Sequence, residues 1–147
     1  MAIEEDKSGE DDKLSQFLAE FRLLENTFNE FTARQNVLER ALIEARSALE
    51  TVKSLGSENP SDVLMPIGAG VLLKATPPNS ERVLVSVGAN VVLEKNRDDA
   101  TAILESRIET LEKSIISIAS QRSQIAQRLE SDRRVLESIS SRQVPQQ

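Results

Sequence analysis

The most restrictive feature of the chain is a thirteen-residue pattern that occurs twice, twenty residues apart. Val63-Leu64-Met65-Pro66-Ile67-Gly68-Ala69-Gly70-Val71-Leu72-Leu73-Lys74-Ala75 overlays Val83-Leu84-Val85-Ser86-Val87-Gly88-Ala89-Asn90-Val91-Val92-Leu93-Glu94-Lys95, with six of thirteen positions identical. Each copy is two β-rich runs around a Gly-Ala-Gly or Gly-Ala-Asn triplet, which predicts a β-hairpin with a three-residue loop. The last loop residue needs the left-handed region, and Gly70 and Asn90 are the two residue types that enter it cheaply. That loop sets Ile67 opposite Val71, Met65 opposite Leu73 and Val63 opposite Ala75. In the second copy it sets Val87 opposite Val91, Val85 opposite Leu93 and Val83 opposite Lys95.

Nearly every side chain on this face is apolar. The opposite face, with Leu64, Pro66, Leu72, Lys74, Leu84, Ser86, Val92 and Glu94, is mixed and is expected to be half-buried. Two isolated hairpins can neither bury that much apolar surface nor hide their strand edges. The cassette at residues 61–96 is therefore expected to complete its sheet with strands from other chains, the alternative being a small β-domain closed within one chain.

On either side the period changes. From Leu14 apolar residues recur in alternating steps of three and four: Leu14, Phe17, Phe21, Leu24, Phe28, Phe31, Gln35, Leu38, Leu42, Ala45, Leu49, Val52. This a/d pattern predicts a coiled-coil helix over residues 14–56, with Gly56 as its cap and Pro60 as its stop. A second helix over 98–142 is predicted from Thr101, Leu104, Ile108, Leu111, Ile115, Ile118, Arg122, Ile125, Leu129, Asp132, Leu136 and Ile139, capped from the segment Asn96-Arg97-Asp98-Asp99. The segment Thr76-Pro77-Pro78-Asn79-Ser80-Glu81 is a stiff linker. Residues 1–13, with six acids and two lysines, are expected to be a disordered acidic tail, and 143–147 a frayed end.

Both seams span 39 residues and flank one cassette, so the helices are expected to fold back on each other. At about 1.5 Å per residue, the resulting antiparallel arm would reach roughly 58 Å. If Val52 lies near Thr101, Phe31 falls level with Arg122 and Phe21 with Asp132. The charged seam residues then sit in the half nearer the termini, which should zip less firmly than the aliphatic base. All four aromatics, Phe17, Phe21, Phe28 and Phe31, lie in that half. They are either plain seam knobs or an apolar surface offered to a partner when the tip loosens, and the two roles are compatible.

Composition removes most chemistry. The chain has no cysteine, histidine, tyrosine or tryptophan, which excludes thiolate sites, the commonest metal ligand and the usual base near neutral pH. It has no phosphate-binding glycine loop followed by lysine and no nucleophile triad. We therefore expect no enzymatic activity, no cofactor and no metal. A net charge of -6 disfavours nucleic acid, and no run approaches the roughly 18–20 apolar residues of a membrane span. Without an apolar signal-peptide core near Met1, the expected location is the cytoplasm.

Two heptad helices around a doubled hairpin, with VLMPIGAGVLLKA and VLVSVGANVVLEK between them and DDATAILESRIETLEK opening the second helix, resemble the α-type subunits of archaeal prefoldin. The resemblance covers residues 14 to about 140 and implies an α+β fold: a long antiparallel coiled-coil helical hairpin whose two central β-hairpins join an intersubunit β-barrel. It implies a hexamer of two α and four β subunits, an ATP-independent co-chaperone that holds unfolded or nascent polypeptides and passes them to a group II chaperonin. The oligomerisation role then falls on Val63, Met65, Ile67, Gly68, Gly70, Val71, Leu73, Val83, Val85, Val87, Gly88, Asn90, Val91 and Leu93. Client binding falls on Leu14, Phe17, Phe21, Leu24, Leu136 and Ile139. The acidic residues 4–12 are candidates for chaperonin contact on charge alone. The same outline also fits a structural protein that forms filaments or tethers.

Overall fold

The structure, a computed structural model, describes residues 2–55, 62–77 and 81–143, with side chains over 8–55, 62–77 and 81–142. Gly56 and Pro60, the linker residues 78–80 and the end 144–147 lie outside the described residues. The element order is α1 (Ala2–Ser54), β1 (Val63–Gly68), β2 (Val71–Ala75), β3 (Arg82–Gly88), β4 (Val91–Asn96) and α2 (Arg97–Gln143). This is the expected α+β plan of two long helices around two hairpins.

The N-terminal segment departs from expectation: its backbone continues α1 back to Ala2 where composition pointed to a disordered tail. Residues 2–13 contain no proline and one glycine. Once a helix exists, each added residue gains a hydrogen bond without a new nucleation cost, so a polar extension needs no core of its own.

The chain divides into two compact units, to which both helices contribute. Residues 1–38 and 114–147 form one, and residues 39–113 form the other.

In the first unit, Leu14 and Phe17 line a cleft with Val135 and Ile139, while the Arg122 guanidinium stands 5.8 Å from the centre of the Phe28 ring. As numbers rise along α1 they fall along α2, so the helices run antiparallel. Arg122 reaches the ring one turn from Phe31, within the span of its long stem, and lies over its electron-rich face. Every seam position from Leu14 to Leu38 and from Ile115 to Ile139 is at most half-exposed, and Ile118 is buried.

In the second unit, the ion pairs Arg46–Glu112 at 2.5 Å and Lys53–Glu105 at 3.4 Å bridge the helices. Seven residues forward on α1 matches seven back on α2, the same antiparallel sense. Ala100 and Leu104 are fully or nearly fully buried on adjacent turns of α2, and Val85 of β3 is buried as well. Asn96 caps α2, its side-chain oxygen accepting from the Asp99 amide at 2.7 Å, so the expected capping segment works through its first residue.

The four strands make two separate two-stranded antiparallel sheets, β1 with β2 and β3 with β4. Val63 pairs with Ala75, Met65 with Leu73, Val83 with Lys95 and Val85 with Leu93, as the sequence predicts. Near the turn the register differs. Gly68, not Ile67, opposes Val71, and Gly88, not Val87, opposes Val91, with a bulge in each strand before the glycine. The connection is thus two residues long, and both are at positive φ: Ala69 at 50° with Gly70 at 78°, and Ala89 at 48° with Asn90 at 59°. Such turns match the right-handed twist of the flanking strands. Gly68 at 114° and Gly88 at 104° occupy a conformation closed to other residues, which is what lets the extra residue fit as a bulge. A Cβ at either would meet no atom within 4 Å, so backbone conformation and not space demands glycine.

Candidate functional site

Two surfaces are built by these elements: the hairpins of the second unit and the helix ends of the first. On the first hairpin Val63, Met65, Leu73 and Ala75 share a face. Their counterparts on the second are Val83, Val85, Leu93 and Lys95. Val63, Ala75, Val83 and Lys95 are half-buried and Val85 is 8% exposed, whereas Met65 and Leu93 remain 47% and 40% exposed. Val85 is already taken up by its own chain. Ile67, Val71, Val87 and Val91 cluster around the turns and are exposed, while Gly68, Gly70, Gly88 and Asn90 shape the turns themselves.

The opposite face is the more exposed one, contrary to the half-burial expected of it. Leu64 and Leu84 stand 64% and 74% exposed, and Leu72 and Val92 are also open. These four are the residues sequence reasoning left out. Their signal was present in the strand alternation, but Pro66, Lys74, Ser86 and Glu94 between them made the face read as mixed. Each hairpin thus shows apolar side chains on both faces, and among the described residues neither strand pair has a third strand at its edges. Water-exposed apolar area of this kind drives association at about 25 cal/mol per Å² removed from water.

The open end of the first hairpin is tied electrostatically. Asp62 accepts from Lys74 Nζ at 2.9 Å and from Thr76 Oγ1 at 2.8 Å. The Lys74 bond, followed by that of Thr76, holds the Asp62 carboxyl below the ordinary aspartate value. The second hairpin is tied to α2: Arg107 Nη2 donates to the Ser86 carbonyl oxygen, and the Arg97 amide donates to Glu81 O at 2.9 Å. Lys113 likewise lowers the Glu109 carboxyl by a hydrogen bond and by its charge.

At the helix ends of the first unit, a cleft of about 480 Å³ is lined by Glu10, Asp11, Lys13, Leu14, Phe17, Val135, Ile139 and Arg142. Of the six predicted client residues, Leu14, Phe17 and Ile139 meet there. Phe21, Leu24 and Leu136 are half-buried in the same seam but do not line the cleft. Val135, 44% exposed, is an apolar lining residue that the a/d count passes over because it flanks the seam. No seam residue in this part of the first unit is fully buried, so apolar surface is partly available without any opening of the helices.

Among the described residues no group of three or more His, Cys, Asp or Glu side chains is placed to hold a metal ion, and no helix is long and apolar enough to cross a membrane.

Comparison with known proteins agrees with this geometry. Residues 24–141 match the prefoldin family, described as Prefoldin subunit. The chain is 32% identical over 119 residues to prefoldin subunit alpha of Nitrosopumilus maritimus, covering 81% of this chain and 82% of that one. It is 33% identical over 107 residues to prefoldin subunit alpha of Methanoregula boonei, covering 68% and 70%. Among solved structures it is similar to filamentous PFD from Methanocaldococcus jannaschii, with a TM-score of 0.61 and 22% identity over 75% of this chain and 92% of that one. It is also similar to the prefoldin beta subunit from Thermococcus strain KS-1, with a TM-score of 0.58 and 16% identity over 90% and 95%. At those identities the two structures speak for the fold alone. With the doubled hairpin, the antiparallel helices and a match over most of its length, the chain belongs to the prefoldin family, whose role is that of a co-chaperone.

Proposed function

We propose that the chain is the α-type subunit of a hetero-oligomeric prefoldin of two α and four β subunits, which holds unfolded or nascent polypeptides without ATP and delivers them to a group II chaperonin. The observation that carries this reading is the pair of two-stranded sheets with apolar side chains open on both faces. In the assembly these hairpins join those of β-type chains in a barrel, which removes their free edges. Capture then falls to the helix ends, where Leu14, Phe17, Phe21, Leu24, Leu136 and Ile139 supply a diffuse apolar grip. Each contact is weak. Several arms on one platform raise the effective concentration of the later contacts, so that weak grips sum to useful avidity with no nucleotide involved.

The test is light scattering after size exclusion on mixing with a β-type subunit, followed by suppression of aggregation of a denatured protein without ATP. Substituting Phe17, Phe21 and Phe28 by serine is expected to leave the assembled mass unchanged and weaken suppression. Unchanged suppression by a well-assembled triple variant removes the helix ends from the mechanism. Chaperonin transfer is tested by deleting residues 1–12, which should weaken docking if the acidic segment contributes.

A second reading, a filament-forming or tethering structural protein, is supported by the same open sheet edges, since head-to-tail contacts that fail to close propagate. It predicts polymers from the purified chain alone, growing with concentration. Closed particles alone at high concentration, seen by electron microscopy, would rule it out.

A further inference from the structure

The two hairpins are near copies in sequence but are held differently. Apart from the Lys74 and Thr76 bonds to Asp62 at its own base, hairpin 1 (β1–β2) makes, among the described residues, no hydrogen bond or ion pair to a helix. Hairpin 2 (β3–β4) differs in two respects: Arg107 of α2 donates to the Ser86 carbonyl, and Val85 is buried. Ser86 is the last residue paired before the β3 bulge, so Arg107 grips the strand at the point where the ladder breaks.

We propose that Arg107 is a positioning residue that fixes hairpin 2 against α2 in advance of assembly, making it the preset seat for a β-type subunit's strands, with hairpin 1 engaged second. This rests on the assembly role proposed above. A strand adds to an existing sheet edge through main-chain hydrogen bonds, and affinity rises when that edge is already oriented. The outer face beside the clamp, with Leu84 and Val92 exposed, supplies the apolar contact. Arg107 itself is exposed and contributes through a single backbone acceptor, so its effect is on placement and not on the core.

The experiment compares the full chain with Arg107→Ala, Arg107→Lys and, as a control for lost charge, Lys53→Ala. Amide exchange is read by mass spectrometry on the unmixed chain. Association is then measured with the β-type subunit from the same source. Arg107→Ala is expected to speed exchange in β3 and β4 about fivefold, leave β1 and β2 unchanged, and weaken association by a similar factor. Arg107→Lys should recover part of both, and Lys53→Ala should alter neither. Helix ellipticity verifies that each variant is folded. Equal acceleration in both hairpins, or none, overturns the clamp. A hairpin 2 effect with unaltered association overturns the docking role. If the unmodified chain fails to associate, the assembly reading falls and the docking role with it, while the contrast in exchange still reports the clamp.

Discussion

Leu104→Ala offers a direct measure of what holds the second unit together. Leu104 is 8% exposed and sits one turn beyond Ala100, which is wholly buried; these two and Val85 are the buried apolar residues of that unit among the described residues. Removing a buried leucine's outer carbons loses their transfer free energy and leaves a gap that neighbours close only in part, at a cost of about 2–5 kcal/mol. A seam between two helices is open along both flanks and relaxes more readily than an enclosed core. The expectation is therefore the lower part of that range, about 2–3 kcal/mol. For a chain of this length that lowers the melting temperature by about 5–10 °C. Leu23→Ala is the matched control: the same atoms are removed from a side chain 66% exposed, and the change should stay within about 0.5 kcal/mol. Both are measured on the unmixed chain by thermal denaturation at 222 nm. A loss below about 1 kcal/mol for Leu104→Ala, or equal losses for the two variants, would show that the Ala100–Leu104 layer does not carry the unit.

Two further outcomes follow from the first hairpin. Ala69 is held at a φ of 50°, so Ala69→Asn should stabilise β1–β2 by up to about 1 kcal/mol and Ala69→Val should destabilise it by about 1–2 kcal/mol, read as slower or faster amide exchange; opposite signs would refute the turn assignment. The Asp62 carboxyl titrates below the ordinary aspartate value because Lys74 and Thr76 bond its charged form, so its contribution is present above the unfolded value and is lost as pH falls through the lowered one. Lys74→Ala should return the titration, followed by carboxyl NMR, toward the ordinary value, and no upward movement would show that the ion pair is not formed in solution.

The helices and their seams were legible because a strict three-four alternation leaves few alternatives: all 24 predicted seam positions are among the less exposed residues of their helices. The hairpin pairs from Val63–Ala75 to Met65–Leu73 were legible through period-two alternation. That period is blind to a single inserted residue, so alternation alone gives a three-residue turn and no sign of the bulges at Ile67 and Val87. Helix extension through residues 2–13 was hidden because composition reports the lack of a core, while elongation needs only an existing helix. Val135 escaped because its contact depends on which side of the seam the cleft opens. Arg107 escaped because its bond to Ser86 joins positions 21 apart that share no pattern.

One junction has a mechanical consequence. β4 ends at Asn96 and α2 begins at Arg97, with no residue between them. The Asn96 side chain closes the first turn onto the same point. Such a joint has no slack, so torque about the first turns of α2 passes straight into β4, as through a crank. On the other side eight residues of chain separate Ser54 from Val63, so α1 and β1 share no such joint. Rotation of the first turns of α2 would therefore steer the second hairpin directly.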